Sequence, residues 1–142
     1  MPGQIVILMV TALIERKGKY LVLQRSEKNI TNKNKWQFPE GKVKFGEDLL
    51  KALKRELLEE TSLVLINAKL FGIHSSIFKE VRRIFRIFRI VFKCKVIGKV
   101  KLSEDHKDFK WFSLKEIEKL DFIEGFDVNN IISVKSTKIK LS

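Results

Sequence analysis

The sequence predicts an α+β fold, a single domain over residues 1–142 built on a mixed β-sheet. Three observations predict it. Apolar stretches rich in β-branched residues recur at 4–14, 19–25, 63–73 and 84–97. One stretch, 47–61, instead carries leucines at helical spacing. Strands and helices do not alternate strictly, as a doubly wound parallel sheet requires. A length of 142 residues suits one domain, and no internal repeat, linker or composition break divides it.

QIVILMVTALI (4–14) is apolar on both alternating faces and reads as a buried strand. Residues 15–19, with Gly18, form a turn, and KYLVLQR (19–25) returns as the second strand of a hairpin. SEKNITNKNK (26–35) is a polar loop, and WQFPEGK (36–42) is a short extended piece interrupted by Pro39 and Gly41. In the 47–61 helix, Leu49, Leu50, Leu53 and Leu57 mark a buried stripe. Glu47 and Asp48 stand at its start, where the helix dipole favours anions. In the 84–97 strand Phe88, Ile90, Phe92, Cys94 and Val96 face one way and Arg89, Lys93 and Lys95 the other. The link at 74–83 fits either a turn or a strand. FKWFSL (109–114) is a short strand that enters a short helix at 114–120; residues 127–135 form a last helix, and a basic tail, KSTKIKLS, follows.

Composition narrows the function classes. Apolar residues make up 44% of the chain, with eleven Phe and two Pro, which excludes a disordered or low-complexity protein. The apolar run at 5–14 is interrupted by Thr11 and is too short to cross a bilayer. It also lacks the charged lead and cleavage site of a signal peptide. The single Cys94 allows no internal disulfide and reads as a small core residue. A cytoplasmic protein with no membrane partner is expected. Lys and Arg number 29 against 17 acids, a net charge of +12. That excess favours nucleotides or RNA as partners, a solvated Lys-rich surface being the alternative. Monomer and homodimer both fit.

Against this basic background, KRELLEETSL (54–63) concentrates Glu56, Glu59 and Glu60. At about 100° per residue, the three fall within about 100° of arc on one helix face. Like charges at this spacing repel. Such a cluster calls for a hard divalent ion, Mg²⁺ above all, which takes a few protein oxygens and completes its shell with phosphate oxygens. A solvated acidic helix flank is the alternative.

Read from Gly41, GKVKFGEDLLKALKRELLEETSL resembles the Nudix box, with Gly41, Glu47, Arg55, Glu56, Leu57, Glu59, Glu60 and Leu63 matching. WQFPEGK before the box and WFSLKEI (111–117) near the C-terminus extend the likeness over most of the chain. The resemblance implies an α/β/α sandwich with the mixed sheet between helices. It also implies Mg²⁺- or Mn²⁺-dependent hydrolysis of a nucleoside diphosphate linked to another moiety. It assigns the metal to Glu56, Glu59 and Glu60, with the Gly41 carbonyl completing the shell. Arg55 is similar to the residue that orients a neighbouring Glu, and Glu47 to a structural position. A late acid, Glu104 or Asp105, is the candidate base or extra ligand.

Two positions depart from the pattern. Ser62 stands where a Gly is expected, at a left-handed helix end that costs a Ser on the order of 1 kcal/mol. Glu40 stands where many members carry a second Gly.

For the substrate, the resemblance points to a MutT-like nucleoside polyphosphate pyrophosphohydrolase acting on nucleoside triphosphate. No Pro follows Pro39, which disfavours ADP-ribose, and Tyr20 is the only Tyr, which removes a marker of dinucleoside polyphosphates. The alternatives are an RNA 5′-end or dinucleoside polyphosphate pyrophosphohydrolase, or a non-catalytic nucleotide- or RNA-binding module on the same fold. Arg25 is the candidate phosphate contact. Phe38 and Trp36 are candidates for stacking on a base, although aromatics near a sheet usually bury, which favours core packing. Asn129 or Asn130 is a candidate for reading a base edge. Arg82, Arg83, Arg86 and Arg89, interleaved with Phe, form either a nucleic-acid surface or a strand's solvated face. His74 and His106 read as core or surface residues.

Overall fold

The structure is a computed structural model that describes residues 3–134. The basic tail at 135–142 lies outside the described residues. β1 (Gly3–Arg16) and β2 (Lys19–Arg25) are joined by Lys17 and Gly18, with φ of 51° and 77°. Two positive φ values give the hairpin turn whose twist matches its strands. The two strands pair only at Glu15 with Tyr20 and Arg16 with Lys19. The rest of β1 runs parallel to β6 (Arg83–Ile97), from Gly3 beside Arg83 to Ile14 beside Cys94. β5 (Val64–Lys79) is antiparallel to β6, and two-residue β8 (Ile132–Ser133) lies on its outer edge. β3 (Trp36–Gln37) and β7 (His106–Phe112) both pair with β2, and β4 (Glu40–Lys42) pairs with β1. The sheet is therefore mixed, as expected.

Helices cover both faces. α1 (Leu49–Thr61) presses Ala52, Leu53 and Leu57 onto Val10, Ala12, Ile14, Leu21, Leu23 and Phe92. On the other face, α2 (Leu114–Glu118) brings Ile117, with Ile123 and Phe126 beyond it, against Leu13, Val22, Phe38 and Val91. This is the α/β/α sandwich. α1 starts on Asp48, whose carboxylate accepts from the Lys51 N–H at 3.0 Å. α2 starts on Ser113, in a capping box with Glu116. Among the described residues no helix is long and apolar enough to cross a membrane.

Several expectations need correction. β1 is buried only over residues 10–14; Val6 and Leu8 are exposed. The reason is length: a 13-residue helix spans about 20 Å, whereas a 14-residue strand spans about 46 Å. Leu50 is 52% exposed and Ala52 is buried in its stead. The buried face of α1 runs through Ala52, Leu53, Leu57 and Thr61, with Leu49 partly buried at its start. The 74–83 link is mostly strand, with its turn at Glu80, whose N–H donates to the Arg83 carbonyl at 2.8 Å. The helix expected at 127–135 is a single 3-10 turn, Val128–Asn130, because Ile132 and Ser133 join the free edge of β5. Arg89 is buried, and it is Phe88 that is exposed.

Candidate active site

α1 carries Glu56 and Glu60 against β4 and leaves Glu59 on its free flank. Glu56 and Glu60 lie next to the buried stripe, and Glu59 turns outward, its side chain 57% exposed. The Glu56 carboxylate rests on Gly41 of β4, where even a Cβ would overlap it.

Arg55 locks this arrangement. Its Nε and Nη2 donate to the two Glu47 oxygens at 2.7 and 2.8 Å, a bidentate fork. Nη1 donates to Glu56 Oε1 at 2.7 Å and Glu59 Oε2 at 3.3 Å, and Nη2 to the Lys42 carbonyl at 3.1 Å. The Arg55 fork holds the Glu47 carboxyl down at about 2, and Glu47 in turn raises Arg55. Glu56 is raised above the ordinary carboxylate range by burial, opposed by Arg55.

Glu60 is raised well above that range, first by burial and then by the charges of Glu56, Glu40 and Asp105. Only the Glu40 N–H, which donates to Glu60 Oε1 at 3.0 Å, works the other way. Asp105 is placed by the chain that follows β6. There the Lys101 and Ser103 N–H groups cap the Thr61 and Glu60 carbonyls at the end of α1. Of the two late acids, Asp105 thus lies within electrostatic reach of the cluster. Glu104 points out to Lys28 at 3.0 Å with its side chain 85% exposed.

Beside the cluster a cleft of about 330 Å³ is lined by Met9, Arg25, Glu40, Lys42, Phe85 and Arg89, among others. Arg25, at the end of β2, is braced by Gln37 Oε1 at 2.6 Å, Asn29 Oδ1 at 2.9 Å and the Thr31 carbonyl. Burial lowers it, and Glu40, Glu60 and Asp105 oppose that lowering. Against the inventory of five guanidinium N–H groups, these bonds leave Nη1 with a hydrogen to spare.

Two candidates fall elsewhere. Phe38 is 1% exposed and packs edge-on against Phe122 and Phe126, so it belongs to the core and offers no face to a base. Asn129 sits in the 3-10 turn, beside Glu118 at a separate crevice between α2 and that turn. Trp36 meets Phe112 edge-on. Arg82, Arg83 and Arg86 stay exposed at the far end of the β5–β6 hairpin.

Sequence reasoning missed the role of Arg89, which reaches across β1 to Glu40 with both side chains 4% exposed. The available signal was a Glu in place of the usual Gly at 40; Arg89 itself is masked among Arg83, Arg86, Lys93 and Lys95 of the same strand. Among the described residues no three carboxylates converge on one point. Arg55 draws Glu56 and Glu59, while the Glu40 amide holds Glu60.

The NUDIX domain family matches residues 5–128, and the chain belongs to this family of hydrolases. An ADP-ribose pyrophosphatase of Methanocaldococcus jannaschii is 35% identical over 114 residues, covering 80% of this chain and 65% of that protein. The chain thus spans about two thirds of that relative's length. An 8-oxo-dGTP diphosphatase of Buchnera aphidicola is 32% identical over 127 residues, covering 84% of this chain and 95% of that one. Among solved structures, a MutT protein from Methanosarcina mazei Go1 superposes with a TM-score of 0.72 at 34% identity, covering 84% of this chain and 86% of that chain.

Proposed function

We propose that this chain is a divalent-cation-dependent pyrophosphohydrolase of nucleoside di- and triphosphate derivatives, with nucleoside triphosphate giving monophosphate and pyrophosphate as the leading reaction. The observation that carries it is Glu60, a desolvated carboxylate crowded by Glu56, Glu40 and Asp105 beside a cleft that Arg25 and Lys42 line. A bound cation would relieve this crowding of negative charge. The donors are all hard oxygens, which fits Mg²⁺ or Mn²⁺. Glu56, Glu59 and Glu60, with the Gly41 carbonyl, would hold the ion. When bound, it supplies charge neutralisation at the phosphoryl oxygens and a more acidic water.

The chain's own residues do the rest. Arg55, anchored by Glu47, keeps Glu56 against Gly41. Arg25 presents its spare N–H and its charge to the phosphates. Water adds in line to phosphorus, the bridging P–O bond breaks, and the proton would go to Asp105, whose charge acts on Glu60.

The test is a panel containing nucleoside triphosphates, 8-oxo-dGTP, ADP-ribose, dinucleoside polyphosphates and 5′-triphosphate RNA, assayed with and without Mg²⁺. Expected are Mg²⁺-dependent release of phosphate or pyrophosphate and a loss of orders of magnitude in Glu60→Gln with the fold intact. RNA binding without turnover of any compound would instead favour a binding module.

A further inference from the structure

The buried Arg89–Glu40 pair is not needed to fill space. Arg89 Nε donates to Glu40 Oε1 at 2.9 Å and Nη2 to Oε2 at 3.4 Å. Thr11 Oγ1 donates to the same Oε1 at 2.9 Å, and Arg89 Nη1 reaches Ser76 Oγ at 3.3 Å. The guanidinium lies 5.0 Å from the centre of the Phe126 ring, which His74 backs in a stack at 4.6 Å. An ion pair this deep contributes little net stability compared with apolar residues of the same volume. What it does accomplish is geometric. Four elements, β1, β5, β6 and the Phe126 segment, converge to fix one side chain, that of Glu40.

Glu40 also meets the acid cluster through its main chain, one residue before the Gly41 on which Glu56 rests. Its N–H points away from β1 toward α1 and donates to Glu60 Oε1 at 3.0 Å. No other hydrogen bond holds that carboxylate among the described residues. We propose that Arg89 is a positioning residue: by clamping the Glu40 side chain it fixes the peptide whose N–H aims the Glu60 carboxylate. This rests on the pyrophosphohydrolase reading above for its consequence in turnover, though the clamp itself is a property of the metal-free chain.

The double variant Arg89→Met/Glu40→Gln removes both charges together, so no buried ion is left alone. It is expected to melt close to the wild type. Its affinity for Mn²⁺ alone, measured by electron paramagnetic resonance of the free ion, is expected to fall about tenfold. Its kcat on the best-turned-over nucleotide of the panel is expected to fall at least tenfold, with KM within about twofold, since the interaction lost is one with the reacting centre. Wild-type kcat and Mn²⁺ affinity in this variant would make the pair merely structural. A raised KM at unchanged kcat would make Arg89 a substrate contact.

If the double variant does not fold, Thr11→Val decides. It removes one donor from Glu40 at nearly constant volume. It is expected to lower kcat severalfold and to shift the Glu40 amide proton resonance upfield in the metal-free protein. An unchanged resonance and rate would overturn the proposal. Because that resonance is read without metal or nucleotide, it remains decisive even if the wild type hydrolyses nothing in the panel. In that case the pyrophosphohydrolase reading fails by itself.

Discussion

The carboxylate of Glu56 occupies the space that a side chain at Gly41 would fill. Helix α1 and strand β4 can approach this closely only because position 41 has no Cβ. Gly41→Ala must therefore displace Glu56 or separate the helix from the strand. A displacement of about 1 Å at a reacting centre costs about a hundredfold in rate. Gly41→Ala is expected to lose at least that much kcat while its circular dichroism stays native-like. Near-wild-type turnover would show that Glu56 acts from some other position.

Ser62 ends α1 at φ 63° and ψ 10°, a left-handed conformation, with its N–H donating to the Leu58 carbonyl at 3.1 Å. Gly adopts this conformation without the Cβ penalty, worth about 1 kcal/mol. Ser62→Gly gives up an exposed hydrogen bond from Oγ to the Lys101 carbonyl and gains chain entropy when unfolded. The balance is expected to lie between neutral and about 1 kcal/mol stabilising, with activity retained. A urea melt showing clear destabilisation would contradict it.

The acid cluster was legible because its spacing is local: Arg55, Glu56, Glu59 and Glu60 share one helix, and helical geometry turns their sequence separation into proximity. Gly41 and Glu47 were legible through the resemblance. The strand positions were legible from β-branched runs. Burial was harder, because alternation separates two faces without saying what covers each. With helices on both sides, Arg89 and Val91 are buried as fully as Cys94. Beyond the reach of α1, apolar Val6, Leu8 and Phe88 remain exposed. Asn129 was placed by analogy alone, with no local spacing to test it, and lies at a separate crevice; Phe38 packs in the core, as an aromatic beside a sheet usually does.

Arg55 reaches Glu47, Glu56, Glu59 and the Lys42 carbonyl with one planar group. A Lys keeps the charge but has three donors on one atom, and cannot replace the five hydrogen bonds that the Arg fork makes to three carboxylates and a carbonyl. Arg55→Lys is expected to lower kcat about ten- to a hundredfold, with nucleotide KM changing less than about threefold. Glu47 should then titrate higher than about 2, which NMR of its side chain would report. An equal change in KM alone would place Arg55 on the substrate.

His106, at the start of β7 opposite Arg25, is 5% exposed, and neither ring nitrogen has a hydrogen-bond partner among the described residues. Burial, and then the Arg25 charge, push its imidazole down to about 4, with Asp105 opposing. The folded protein therefore keeps His106 neutral at pH values where the unfolded chain, titrating near about 6.5, takes up a proton. Between those two values the unfolded state binds more protons, so stability rises with pH. This contribution is complete above about 6.5 and is lost as the pH falls toward about 4. A gap of that width corresponds to about 3 kcal/mol. His106→Leu removes the ionisation. Urea unfolding at pH 7, 6, 5 and 4 should show the wild type losing about 3 kcal/mol more than the variant over this range. Parallel curves would mean that His106 titrates as a solvated histidine, with its ring turned toward water.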